Sequence, residues 1–326
     1  MIWKSSRWKH VRDYSVTIWS KQDNEQSASV RLLQNDARIR GIYNERTYRV
    51  ERLLGEGANG RVYLVSAGRK RLAALKLGYD AASLQSEINL LSALNRKDKP
   101  YLLDADDAEL GGLRYPFYVM PYIEGVRVTA FIAKRGRDWT YILLRQLLAR
   151  LDELHRQGWA FGDVKPENIL VSESGRATLV DYGGVSRFGD SVRQFTELYD
   201  RGYWNAGSRT AEASYDIFAV AALGLRLLAG YERFDARANR IPQNRCAEDL
   251  VTLARQTPAC KPIAPFLEKA IQGRYDSADA ALQEYRQLLL KWGGLKALEP
   301  LHLPWLTAAF ISSFVAFVSV LWLVLN

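Results

Sequence analysis

The stretch Asp163-Val164-Lys165-Pro166-Glu167-Asn168 sets out a carboxylate, an ammonium two residues on and an amide five residues on. A carboxylate so placed can accept the proton of a hydroxyl as its oxygen attacks phosphorus. Lys165 can neutralise charge on the group in flight, and Asn168 offers a neutral oxygen to a metal ion. Asp181 follows thirteen residues after Asn168, at the end of the apolar run Thr178–Val180 and just before Gly183 and Gly184. A carboxylate at a strand end, freed by glycine, is what a Mg2+ bridging two phosphates requires.

A second set lies upstream. Gly55, Gly57 and Gly60 have the spacing G-x-G-x-x-G, and Arg61-Val62-Tyr63-Leu64-Val65 follows. Dinucleotide-binding folds share that glycine string but continue into a helix; the β-branched, apolar continuation here predicts a strand. A glycine hairpin between strands can lie over nucleotide phosphates, because missing Cβ atoms let backbone N–H groups approach the oxygens. Lys76 closes the apolar run Arg71–Leu77, sixteen residues after Gly60, and is expected to reach the α- and β-phosphates. Glu87 is the natural counter-charge to hold it.

These residues need elements to position them. Strands are predicted at Tyr48–Leu54, Arg61–Ser66, Leu72–Lys76 and Tyr115–Tyr122. Helical spacing of Leu84, Ile88, Leu91 and Leu94 predicts a helix over Ala81–Asn95. A second helix is predicted over Trp139–Arg156, with Ile142, Leu143, Leu147, Leu151 and Leu154 on one face, Asp138 as N-cap and Gly158 as stop. From Ser214 to about Trp292 the pattern is mostly helical. Strands first and helices afterwards imply an α+β chain with two unlike lobes.

Between about Tyr48 and Leu290 the sequence resembles the Hanks-type (eukaryotic-like) bacterial serine/threonine protein kinases. "VYLV", "AALK", "GDVKPENILV", "VDYGG" and "SYDIFAVA" carry that likeness. "GWAFGDVKPENIL" and "FTELYDRGYWNAGSRTAEASYDIFAVA" are similar, more closely, to its YabT-like, tail-anchored group. The resemblance implies a two-lobed protein-kinase fold with a β-rich N-lobe and a helical C-lobe, and transfer of the ATP γ-phosphate to protein Ser/Thr hydroxyls with Mg2+ or Mn2+. It implies a hinge at Tyr118–Ile123, with Met120 as gatekeeper and adenine pairing with the Pro121 carbonyl and the Ile123 N–H. Val62, Ala74 and Leu170 would sandwich the ring, and Phe161, Tyr182 and Leu91 would stack as an apolar spine. Asp216 would brace the catalytic-loop backbone. Ser186, Ser191 and Thr196 fall in the implied activation segment as candidate autophosphorylation sites, with Thr196 preferred.

Three departures from the family pattern bear on control. Gly162 replaces the Arg before the catalytic Asp, so activity is not expected to depend on activation-segment phosphate. Tyr182 replaces Phe. Ala206-Gly207-Ser208 stands where Ala-Pro-Glu is usual, which removes a carboxylate that pins the segment. Two alternatives stay open: a small-molecule or lipopolysaccharide-core kinase, which often has Gly before the Asp, and a membrane pseudokinase scaffold.

The rest of the chain speaks to location. Of 326 residues, 48% are hydrophobic and 25% charged, in keeping with a globular core. Two cysteines, Cys246 and Cys260, do not suggest a disulfide framework and have no metal-site spacing. Residues 1–26 form a basic, Trp-rich arm without the continuous apolar region of a signal peptide. A kinase domain is expected over 27–292, with its lobes dividing at about 122 to 126, then a linker over 293–304 and a transmembrane helix over 305–325. "LTAAFISSFVAFVSVLWLVL" has no charge and, at about 1.5 Å per residue, matches a bilayer core of about 30 Å. Lys291 and Lys296 precede it, so a single-pass, C-terminally anchored protein of the cell membrane with a cytoplasmic kinase domain is expected. Ala308, Ser312, Ala316 and Ser319 line one face of that helix, on which a homodimer could pack. The net charge of +9 leaves two readings open: activation by DNA or anionic lipid, or simple solvation of the surface.

Overall fold

A computed structural model describes residues 33–57, 59–68, 71–95, 100–293, 312–314 and 322. The chain divides between Tyr122 and Ile123 into two compact units. The arm expected over 1–26 lies outside the described residues, and so does the span expected over 305–325 apart from residues 312–314 and 322. Among the described residues no helix is long and apolar enough to cross a membrane.

The first unit is a curled antiparallel sheet with one helix. Its elements are β1 (Arg38–Arg40), β2 (Thr47–Gly57), β3 (Gly60–Ala67), β4 (Arg71–Gly78), α1 (Ala81–Leu94), β5 (Asp104–Leu110) and β6 (Leu113–Pro121), and the strands run in the order β1-β2-β3-β4-β6-β5. A bridge between Gly41 and Ala108 and a bond from Ile42 N to Asp107 O join the two edges. Register shifts in β2, at Val50/Arg52 and Leu53/Gly55, let the strand bend. The strand period of two puts Tyr63, Val65, Leu75, Leu77, Phe117 and Val119 into one buried core. Asp80 starts α1 by accepting from Ser83 N at 2.6 Å, an N-cap that satisfies an otherwise orphan donor.

The strands β1 and β5 are additions to the sequence expectation. "DADDAEL" does not read as a strand because acidic residues are poor strand formers. Here Asp106 accepts from the backbone N–H groups of Tyr43 and Asn44, so the buried carboxylate is satisfied by the loop after β1.

The second unit contains β7 (Val126–Arg127), α2 (Val128–Arg135), α3 (Trp139–His155), β8 (Trp159–Ala160), β9 (Ile169–Val171), β10 (Ala177–Leu179), β11 (Ser186–Arg187), α4 (Ala213–Ala229), α5 (Tyr231–Ala238), α6 (Ala247–Arg255), α7 (Ala264–Ile271) and α8 (Ala278–Trp292). Apart from Ser214 and Arg226, every residue of α4 is buried, so this mainly apolar helix serves as the centre of the unit. α3 packs on α8 and α4, and its five expected face residues are all buried. Asp138 stands at the N-cap of α3 but makes no side-chain cap bond, because its own backbone is already helical. Ser277 caps α8 through Ala280 N at 3.2 Å.

Candidate active site

In the first unit, register puts the expected nucleotide residues on one sheet face. Gly55 pairs with Val62, Val62 with Lys76, Ala74 with Met120, and Lys76 with Tyr118. Paired residues share a face, so Gly55, Val62, Ala74, Lys76 and Met120 lie together, opposite the core face that holds Tyr63, Leu75 and Phe117. Gly60 has φ +149°, and a Cβ there would meet Leu77 O at 2.2 Å, so the turn itself demands glycine. At Gly55 and Gly57 a Cβ would meet nothing within 4 Å. Packing among the described residues therefore does not require those two glycines, which leave open space beside the hairpin crest.

Lys76 and Glu87 are only 7% and 5% exposed. Lys76 Nζ donates to Glu87 Oε1 at 2.9 Å and Oε2 at 2.7 Å. The Tyr118 hydroxyl donates to Glu87 Oε2 at 3.0 Å. A buried ion pair is expensive to desolvate and persists where further hydrogen bonds satisfy it. Tyr118 supplies one from the neighbouring strand, a partner that the sequence reading missed. Pro121 ends β6 opposite Ala73, and Ile123 opens the second unit.

In the second unit, Asp163 is the point on which donors converge. Lys165 Nζ lies 2.6 Å from its Oδ2. Asn168 Nδ2 donates to its backbone O at 2.9 Å and to Oδ2 at 3.2 Å, and Thr196 Oγ1 donates to Oδ1 at 3.0 Å. The carboxylate is buried and held in one orientation.

The hairpin of β9 and β10 brings the metal candidates together. Register pairs Ile169 with Leu179, and Val180 N donates to Asn168 O at 2.9 Å, so Asn168 sits across from the residue before Asp181. Asp181 is exposed, with left-handed backbone (φ 60°, ψ 83°), and accepts from Gly183 N at 3.4 Å. Because Asn168 commits its amide nitrogen to Asp163, its oxygen is the atom left to a cation. Among the described residues no group of three or more His, Cys, Asp or Glu could hold a metal alone. One carboxylate and one amide oxygen fit a hard divalent ion that takes its other ligands from phosphates and water.

Asp216, fully buried on α4, accepts from Phe161 N at 2.6 Å and Gly162 N at 2.8 Å, which is the expected brace on the catalytic-loop backbone. His155 Nε2 lies 2.8 Å from Asp216 Oδ2, a second residue the sequence reading did not single out. Gly162 has φ +81°, and a Cβ there would meet Gly184 O at 2.7 Å. The Phe161 and Tyr182 rings meet edge-on with centroids 5.6 Å apart. Leu91 is buried in α1 of the first unit, and Leu170 is half-buried in β9.

Residues 185–211, which contain the expected activation segment, are pinned by residues that the motif reading passed over. Asp200, fully buried, accepts from Gly202 N, Tyr203 N and the Tyr215 hydroxyl, and pairs with Arg209 at 2.6 Å. Arg201 donates to Ser208 O at 2.5 Å and pairs with Glu212 at 2.7 Å. These contacts anchor the segment although Ser208 stands where a pinning carboxylate was expected. Of the candidate phosphorylation sites, Ser186 is 1% exposed, Ser191 is exposed, and Thr196 is half-buried against Asp163.

A family model described as "Protein kinase domain" matches residues 48–272. The chain is 36% identical over 248 residues to serine/threonine-protein kinase YabT of Bacillus subtilis (strain 168), covering 74% of this chain and 71% of that protein. It is 32% identical over 198 residues to serine/threonine-protein kinase PknE of Mycobacterium bovis, of whose length it spans only 35%. Among solved structures, vaccinia related kinase 3 superposes with a TM-score of 0.59 over 83% of this chain and 96% of that one, at 15% identity, a likeness of fold.

Proposed function

The chain belongs to the protein kinase family and is a serine/threonine protein kinase using ATP and a divalent metal, and from that premise we propose that it is catalytically active, with Mg2+ or Mn2+ as the metal. The observation that carries this reading is the Asp163 carboxylate, oriented by Lys165, Asn168 and Thr196 within 3.2 Å. Asp163 accepts the proton of the acceptor hydroxyl, and Lys165 neutralises charge on the transferring phosphoryl group. Lys76, fixed by Glu87, steadies the α- and β-phosphates. Asn168 and Asp181 would hold the divalent ion, which would supply neutralisation of phosphate charge there.

Gly162 puts no arginine directly before Asp163 to read a segment phosphate, and the Asp200–Arg209 and Arg201–Glu212 pairs support an activation segment that is ordered without one. Ser191, exposed in that segment, is the candidate best suited to autophosphorylation in trans. The uncharged run over 305–325 supports C-terminal anchoring in the cell membrane, with the kinase domain on the cytoplasmic side and the small-residue face as a dimer contact. The net charge of +9 supports stimulation by DNA or anionic lipid.

The experiment is transfer of the γ-phosphate of ATP to a generic basic protein, with sugar acceptors in parallel. Phosphoserine or phosphothreonine on the protein supports the reading; transfer to the sugars alone favours a small-molecule kinase. Recovery of the full-length chain, but not of a variant ending at residue 292, with alkaline-washed membranes tests the anchor.

A further inference from the structure

The crest of the glycine hairpin is tied down from behind. Glu56, between Gly55 and Gly57, lies in register with Arg61. Arg61 Nη2 sits 2.8 Å from Glu56 Oε1, and Arg61 Nε donates to the same oxygen at 2.9 Å. The Tyr79 hydroxyl donates to it as well, at 3.0 Å. The Arg61 guanidinium lies 5.7 Å from the centroid of the Tyr79 ring, and Tyr79 N donates to Asn59 O at 3.3 Å. The three side chains come from β2, from β3 and from the residue directly after β4, so they stitch three successive chain segments together at one oxygen atom.

The placement has a consequence for the hairpin. Glu56 and Arg61 share the face opposite Gly55, Val62 and Lys76, so neither side chain is aimed where the nucleotide residues gather. The described residues of the hairpin have little packing to hold them: Gly57 is exposed, and a Cβ at Gly55 or Gly57 would touch nothing within 4 Å. The β2 register shifts loosen the ladder just before the crest. Exposed ion pairs usually contribute little. This one differs in that the Arg61 side chain is 11% exposed, although that of Glu56 is 45% exposed, and a third donor, the Tyr79 hydroxyl, fixes the carboxylate. The Arg61 and Tyr79 donors hold the Glu56 carboxyl below the usual range.

We propose that Glu56, Arg61 and Tyr79 form a positioning clasp that sets the glycine hairpin over the nucleotide phosphates and limits the rate at which it lifts for nucleotide exchange. The proposal rests on the kinase reading above. None of the three residues touches the reacting atoms; they act through the paired backbone of Gly55, Gly57 and Gly60.

The test is stopped-flow release of a fluorescent ADP analogue from the full-length protein, with steady-state kinetics and thermal midpoints alongside. Glu56→Gln keeps the shape and removes the charge; Tyr79→Phe removes one donor. The expected result is a rise in both the ADP release rate and the KM for ATP, about threefold to tenfold for Glu56→Gln and smaller for Tyr79→Phe, with the thermal midpoint unchanged. Glu56→Asp, which keeps the charge, recovers part of the loss. Release rates and KM equal to wild type in both variants overturn the clasp and leave the kinase reading intact. A wild-type protein that fails to bind the analogue overturns the kinase reading and the clasp with it.

Discussion

Thr196 Oγ1 donates a hydrogen bond to Asp163 Oδ1 at 3.0 Å, joining the proposed activation segment to the proposed catalytic base across 33 residues of chain. The bond couples the placement of the segment to the orientation of that carboxylate. Thr196→Ala is expected to lower kcat about tenfold with little change in the KM for ATP, while Thr196→Ser keeps most of the activity. A phosphate at Thr196 would press a dianion against the Asp163 carboxylate, so Thr196→Glu is expected to be inactive where Ser191→Glu is not. Steady-state assays of the four variants check this.

The Lys76–Glu87 pair leads to a stability prediction. Removing one member leaves a buried charge without its partner and costs about 3–5 kcal/mol, whereas replacing both by apolar residues costs less. Glu87→Leu is therefore expected to lower the chemical denaturation midpoint more than Lys76→Met/Glu87→Leu does, although both abolish transfer. Tyr118→Phe should cost about 1 kcal/mol and leave activity within about tenfold of wild type.

Gly162 sits in the left-handed region with no room for a Cβ. Gly162→Ala is expected to destabilise by about 1–3 kcal/mol and to reduce kcat, because the two peptide N–H groups held by Asp216 must shift. Gly162→Arg is not expected to create a requirement for segment phosphorylation. Differential scanning calorimetry and assays with and without phosphatase treatment measure these effects.

Glu212 links segment anchoring to pH. The Ser214 hydroxyl, and after it Arg201, hold the Glu212 carboxyl below its ordinary 4.5. A carboxyl with a depressed folded-state pKa contributes stability above its unfolded value and loses it as pH falls through the folded value. The Arg201 anchor therefore persists at neutral and mildly acid pH and is released only below about pH 4.5. Wild type is expected to exceed Glu212→Gln slightly in thermal midpoint at neutral pH, because the side chain is half exposed and screened. The two should converge once the pH has fallen through the depressed folded-state value of Glu212.

Much of the site was legible because its chemistry sits in short, rigidly spaced motifs. Asp163 to Asn168, the Asp181 strand end and the glycine hairpin are local, and residue type with spacing nearly determines their geometry. Glu87 was legible because a buried lysine needs a counter-charge. What escaped the sequence reading depends on long-range closure. Thr196 and Tyr118 were named for other roles, and their contacts, like that of His155, reach residues 31 to 61 positions away. Asp200 and Arg201 look like surface charges until the chain folds back to Arg209 and Glu212. The strand β5 hides for a related reason: its acidic residues are tolerated only because the loop after β1 supplies donors to Asp106.

The most direct measurement is phosphate transfer by the purified full-length protein and by Asp163→Asn, with ATP binding and thermal midpoint determined for both. The expected result is phosphoserine or phosphothreonine formed by wild type, with a loss of at least about a hundredfold in Asp163→Asn at unchanged ATP affinity. Equal transfer by the two proteins, or none by wild type despite ATP binding, would contradict Asp163 as the catalytic base.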